Sequence, residues 1–202
     1  VLEIDEIRVQ RAAFGVRVGS VALPAGRQLT LIGPSGCGKS TFLRALMGLE
    51  PGATVSGLRW QAKDISAEPP HRRPFGWLPQ ELGLWPHLSA LRHLAFARSR
   101  GRSAQPGDED EALLAEVGLL HRAKALPAEL SGGERQRLAF ARVMALRPAW
   151  AVLDEPFSHL DPVMASELAQ SGRRQLSWPP GDNYLGRSDA GWMASAPWAR
   201  GI

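Results

Sequence analysis

The chain has 202 residues, 44% of them hydrophobic and 22% charged, which suits one globular domain with a real core and excludes a disordered chain. The formal net charge is +4, but residues 171–202 supply half of it, four arginines against two aspartates. With no dense Lys/Arg block elsewhere, no nucleic-acid partner is expected.

The single cysteine, Cys37, excludes an internal disulfide. The sequence VLEIDEIRVQ carries no basic-then-apolar leader. No apolar run approaches the roughly 20 residues of a membrane helix, so a membrane role is expected only through a partner.

In chain order, residues 2–9 and 16–23 read as two strands separated by a turn near 13–15, and Pro24-Ala25-Gly26 as a tight turn. Residues 28–32 form a short apolar run suited to a buried parallel strand. Residues 39–49 read as a helix with Phe42, Leu43, Leu46 and Met47 on one stripe. Strands are expected at 55–60 and 75–78, and a helix at 88–100. An acidic turn at 106–111 precedes a helix at 111–117, with Asp108 or Asp110 as its cap. A helix at 133–146 and a buried strand at 149–153 follow, the strand stopped by Asp154-Glu155-Pro156. This order predicts an α/β nucleotide-binding core with a helical insertion.

Three motifs carry chemistry. The run Gly33-Pro34-Ser35-Gly36-Cys37-Gly38-Lys39-Ser40 fits the phosphate-loop pattern G-x-x-x-x-G-K-[ST] after an apolar strand. Glycines let successive backbone N–H groups point at phosphate oxygens, and the positive end of the following helix adds to them. Lys39 supplies a cation for the β/γ-phosphates, Ser40 a hydroxyl for magnesium, and Thr41 reaches the α-phosphate side.

Asp154-Glu155 ends a buried strand. Asp154 is expected to hold magnesium, and Glu155 to orient and deprotonate the attacking water. Alone, such a pair is most often a solvated loop; the phosphate loop shifts the balance. The third motif is LSGGERQRLAFAR, residues 130–142. Ser131, Gly132 and Gly133 open a helix as a second anion-binding end, with Glu134 supporting the cap. The plain alternative is a capped amphipathic helix.

On these residues the chain resembles the ABC-type ATPases, the nucleotide-binding subunits of ATP-binding cassette transporters. Leu130 to Glu134 is similar to their signature motif. The resemblance covers about residues 1–165 and implies a P-loop, RecA-like core with an antiparallel β subdomain and a helical subdomain at about 81–145. It implies that Gln80, in WLPQ, touches magnesium and senses the membrane partner. Asp161, in SHLD, would cross to a second subunit. Phe14 would stack on adenine, a core phenylalanine being the alternative.

The resemblance also implies the assembly. Two copies would pair head to tail, Lys39 of one and Ser131 to Gly133 of the other enclosing one ATP with Mg2+. The segment from Gln80 to Ala97 is similar to the permease-docking region of small-solute importers, thiamine-type among them. Trp77, Leu84, Trp85 and Leu88 would line that groove or else form the helical core. A solute-binding protein would take part indirectly, and the place of action would be the cytoplasmic face of the membrane.

The tail departs from the pattern. The family places a buried strand and then a histidine switch beyond Asp161, near Ser188 by count, but all five histidines precede Asp161. From 171 to 202 there is no valine, and the one isoleucine is the last residue. No buried strand is expected there, and residues 166–202 read as out of frame or as a truncated product, with turnover impaired. The alternatives are a non-catalytic product that at most binds nucleotide, or a soluble ABC-type ATPase.

Overall fold

The computed structural model describes residues 1–11, 14–25, 27, 29–102, 104–156, 166 and 184–187. Asp161 and most of the tail lie outside these residues.

The first expected strand is two strands. Leu2 and Ile4 point inward, and so do Ile7 and Val9, so the inward parity changes from even to odd at Asp5. One continuous strand cannot bury both sets on one face. β1 (Leu2–Ile4) and β2 (Glu6–Arg11) therefore enter different sheets. β3 (Phe14–Val18) pairs with β2, and β4 (Val21–Leu23) pairs with β1.

The expected strand at 55–60 divides in the same way, into β6 (Ala53–Ser56) on β2 and β7 (Arg59–Trp60) on β1. The break is Gly57, at φ +60°, where a Cβ would fall on the Asp5 carboxylate. Arg59 pins the same corner, with Nη1 and Nη2 donating to the two Asp5 oxygens at 2.9 and 2.7 Å. β8 (Lys63–Asp64) closes a hairpin on β7 through Gln61 and Ala62, both at positive φ as a tight hairpin turn requires.

The third sheet is parallel. It contains β5 (Leu29–Leu31), β9 (Phe75–Leu78), β10 (Trp150–Asp154) and β11 (Tyr184–Arg187), in the order β5-β11-β10-β9. The expectation that the tail supplies no strand is corrected by β11. A strand between two others is held on both sides by its backbone groups, so four residues suffice without a Val/Ile run.

Every residue of β10 is buried, and its alternation divides the protein. Trp150 and Val152 join a cluster formed by α1 (Lys39–Met47) and residues of the antiparallel sheets. Ala151 and Leu153 join a second cluster formed by α2 (Ala90–Arg98), α3 (Asp108–Glu116) and α4 (Gly132–Ala145). The parallel sheet thus carries a helical layer on one face.

The helix ends show why bounds shifted. α1 stops before Gly48, which is left-handed at φ +76° and donates its N–H to Ala45 O at 2.9 Å. α3 begins at Asp108, earlier than expected. Asp110 sits inside the first turn and its carboxylate accepts the Gly107 N–H at 3.0 Å. Arg98 of α2 holds that same buried carboxylate at 2.9 and 3.1 Å.

Candidate functional site

Strand register builds the site. Arg187 of β11 lies opposite Leu31 of β5 on one side and Asp154 of β10 on the other. The carboxyl ends of these strands therefore meet at one edge, where parallel α/β sheets bind ligands. The phosphate loop leaves this edge after β5, and Asp154-Glu155 leave it after β10.

The loop itself is compact. Gly36 and Gly38 are left-handed, at φ +81° and +101°, and Cys37 N–H donates to Pro34 O at 3.3 Å. At Gly38 a Cβ would lie 2.3 Å from Val16 Cγ2 and 2.8 Å from Phe14 Cζ. Only glycine permits that approach. Phe14, Gly36, Gly38, Lys39, Ser40 and Thr41 line a cavity of about 180 Å3. The structure thus brings Phe14 onto the loop. It also adds Val16, two residues on along the same strand, a contact that alternation from Phe14 could have suggested.

Lys39 is 7% exposed, and its ammonium donates to Gly33 O and, at 2.8 Å, to Pro34 O. Its Nζ is 3.8 Å from Cys37 Sγ. Ser35 and Cys37 are exposed on the loop's crest, Ser40 and Thr41 half-buried in the first turn of α1.

The acids meet the expected glutamine. β9 runs beside β10 with Leu78 opposite Leu153, so Gln80 and Glu155 emerge together. Gln80 Nε2 donates to Glu155 Oε2 at 3.2 Å. A second glutamine, absent from the sequence reading, reaches the same residue: buried Gln136 of α4 donates through Nε2 to Glu155 O at 3.3 Å. Asp154 is buried at the end of β10.

Ser131 caps α4, its Oγ accepting the Glu134 N–H at 3.2 Å, while Glu134 Oε2 accepts the Ser131 N–H at 2.7 Å. This is the reciprocal box expected from S-G-G-E. The Ser131 backbone and hydroxyl, then Arg122, hold the Glu134 carboxyl down to about 2. Ser131 and Gly132 are exposed. The flanking Leu130 and Leu138 belong to the helical cluster, whereas α1 beneath the phosphate loop belongs to the other.

The segment after Gln80 is held by α2 and α4. Arg142 donates to Gly83 O and, at 2.9 Å, to Leu82 O, and its guanidinium lies 5.3 Å from the Trp85 ring centre. Burial pushes the Arg142 guanidinium down to about 10. Trp85 N–H donates to His93 Nε2 at 2.9 Å, and its ring meets Phe96 edge-on at 4.7 Å. Of the four groove candidates, Leu84 packs on the helical cluster and Trp77 on the other. Trp85 and Leu88 are half-buried. No helix among the described residues is long and apolar enough to cross a membrane.

The ABC transporter family profile matches residues 16–158. The thiamine import ATP-binding protein ThiQ of Ruegeria sp. (strain TM1040) is 34% identical over 169 residues, covering 83% of this chain and 72% of that protein. The Fe(3+) ions import ATP-binding protein FbpC of Agrobacterium fabrum (strain C58) is 42% identical over 147 residues, covering 70% of this chain but only 40% of its own length.

Among solved structures, an ATP binding subunit of an ABC transporter superposes with a TM-score of 0.74 at 25% identity, covering 93% of this chain and 79% of that one. A dimeric bacterial ABC transporter cassette superposes at 0.72 with 23% identity, over 93% of this chain and 88% of its own. With its phosphate loop and acid-ended strand at one edge of a parallel sheet, and these matches along most of its length, the chain belongs to the ABC transporter family and carries the RecA-like α/β fold of its ATP-binding domains.

Proposed function

We propose that the chain is the ATP-binding and ATP-hydrolysing subunit that energises import of a small solute through a membrane permease. The observation that carries this reading is the register that sets the phosphate loop, roofed by Phe14, at the same sheet edge as Asp154 and Glu155. In it, Gly33 to Gly38 wrap the phosphates with backbone N–H groups, and Lys39 leaves the Gly33 and Pro34 carbonyls for phosphate oxygens. Ser40, Gln80 and Asp154 would hold Mg2+, which would neutralise charge on the phosphate oxygens. Glu155 orients and deprotonates the attacking water. Phe14 packs against adenine.

The exposed Ser131 and Gly132 face a second copy, so that Ser131, Gly132, Gly133 and Glu134 close over that copy's ATP, with Asp161 crossing between the two. The permease docks on the segment from Gln80 to Ala97. Residues 1–165 form the ATPase domain, with the helical part at about 81–145, and the protein works at the cytoplasmic face of the membrane.

A second reading is favoured by one observation: no histidine follows Asp161. β11 ends at Arg187, and the next residue is Ser188, where the family pattern counts the switch histidine. On this reading the chain binds nucleotide at most and does not turn it over.

Phosphate release from Mg-ATP by the full chain tests both. Slow release that Glu155→Gln abolishes and Ser188→His raises supports the ATPase reading with an impaired switch. ATP binding with no release from the wild-type chain or from Ser188→His supports the non-catalytic one. Absence of ATP binding removes both.

A further inference from the structure

Glu155 leaves a fully buried strand with φ +51°. A non-glycine residue is strained in that conformation and persists in it only where its surroundings hold it. The following Pro156 adds to the constraint, because a residue before proline favours extended backbone instead. Two amides grip Glu155 from other elements. Gln80 takes the carboxylate, and Gln136 takes the main-chain carbonyl. Gln136 is 1% exposed, on the helical layer's longest helix. A buried amide there is costly unless it bonds, so its place on Glu155 O is a specific arrangement.

We propose that Gln136 is the positioning residue for Glu155. Its amide holds the left-handed turn at the end of β10, and that turn aims the carboxylate at the sheet edge beside Gln80. The inference rests on the reading that Glu155 acts on the attacking water. It also gives α4 a second task. Gln136 lies five residues from the Ser131 cap, about 7.5 Å along the axis at 1.5 Å per residue.

The test is solution NMR of the isotope-labelled full chain, reading the amide–Hα coupling and Cα shift of Glu155. The wild type is compared with Gln136→Leu, which removes the donor, and Gln136→Glu, which keeps the length without an amide N–H. The left-handed signature of Glu155 is expected in the wild type. It is expected to be lost in both variants, with the signals of Val152 and Leu153 unchanged. A Glu155 that stays left-handed in both overturns the proposal, as does a wild type that lacks the signature.

This readout does not depend on turnover. Where hydrolysis is measurable, kcat falls about 10- to 100-fold in Gln136→Leu with the affinity for Mg-ATP unchanged. Glu155→Gln separates the two ideas. If hydrolysis survives Glu155→Gln while Gln136→Leu still moves the turn, the positioning stands and the catalytic reading of Glu155 falls.

Discussion

Lys39→Ala gives the sharpest perturbation of the site. Lys39 is nearly buried, and its ammonium donates to two loop carbonyls, Gly33 O and Pro34 O. Phosphate displaces those carbonyls because its full negative charge attracts the ammonium where a carbonyl offers only a dipole, and hydrogen bonds with charged groups are worth about 1.5–3 kcal/mol each. Losing them weakens binding by about 2.7 kcal/mol, or about 100-fold.

Thermal unfolding with and without Mg-ATP reads this directly. At ATP about 100 times the wild-type Kd, binding stabilises the folded chain by about 2.7 kcal/mol. For a chain of this size that raises Tm by about 5–11 °C. The variant at the same ATP concentration sits near its own Kd and gains only about 0.4 kcal/mol, or about 1–2 °C. Without ligand, the two carbonyls lose a donor at the half-open loop, and Tm falls by about 2–4 °C, equivalent to about 1 kcal/mol. A variant that keeps the full wild-type ligand shift refutes the reasoning, since the ammonium then makes no net contribution on the phosphates.

Four further outcomes are expected. Phe14→Ala weakens ATP binding by about 5- to 160-fold, the worth of one base–aromatic stack at about 1–3 kcal/mol, measured by calorimetric titration; unchanged affinity would return Phe14 to the core. Arg73→Met lowers stability by about 3 kcal/mol in urea unfolding, because Leu46 O, Glu68 O (2.9 Å) and Ser66 O (2.9 Å) all lose their guanidinium donor. Ser131→Ala removes the α4 cap and costs about 1 kcal/mol by the same assay.

The fourth concerns pH. Burial pushes His93 below its usual 6.5, and the neutral ring accepts the Trp85 N–H while its Nδ1 bonds Ser89 O at 2.9 Å. The folded chain therefore binds this proton more weakly than the unfolded one. Its contribution to stability is complete above about pH 6.5 and is lost as pH falls below it. In His93→Gln the fall in stability between pH 7 and pH 5, followed by urea unfolding, becomes shallower; an unchanged slope contradicts the assignment.

What the sequence disclosed was local. The phosphate loop could be read because its glycines have a backbone reason, and the α4 cap because Ser131 and Glu134 stand at the capping-box spacing. The changes of sheet at Asp5 and Gly57 were harder. The parity change between Ile4 and Ile7 is written in the chain, but which sheet receives each half depends on partners far away. β11 lay beyond reach because Tyr184 to Arg187 carry no strand pattern; the space between β5 and β10 makes them a strand. Gln136 reads in sequence as one polar residue on an amphipathic helix. Only the packed fold shows that its amide ends on Glu155, and φ at Glu155 has no signature in residue type at all.

The central claim is that this loop holds a nucleotide. A crystal structure of the full chain with Mg2+ and a non-hydrolysable ATP analogue tests it most directly. The account predicts the triphosphate within residues 33–41, Lys39 Nζ moved from the Gly33 and Pro34 carbonyls onto phosphate oxygens, and adenine against Phe14. A triphosphate bound elsewhere, or an empty loop with Lys39 still on its carbonyls at saturating analogue, would contradict it.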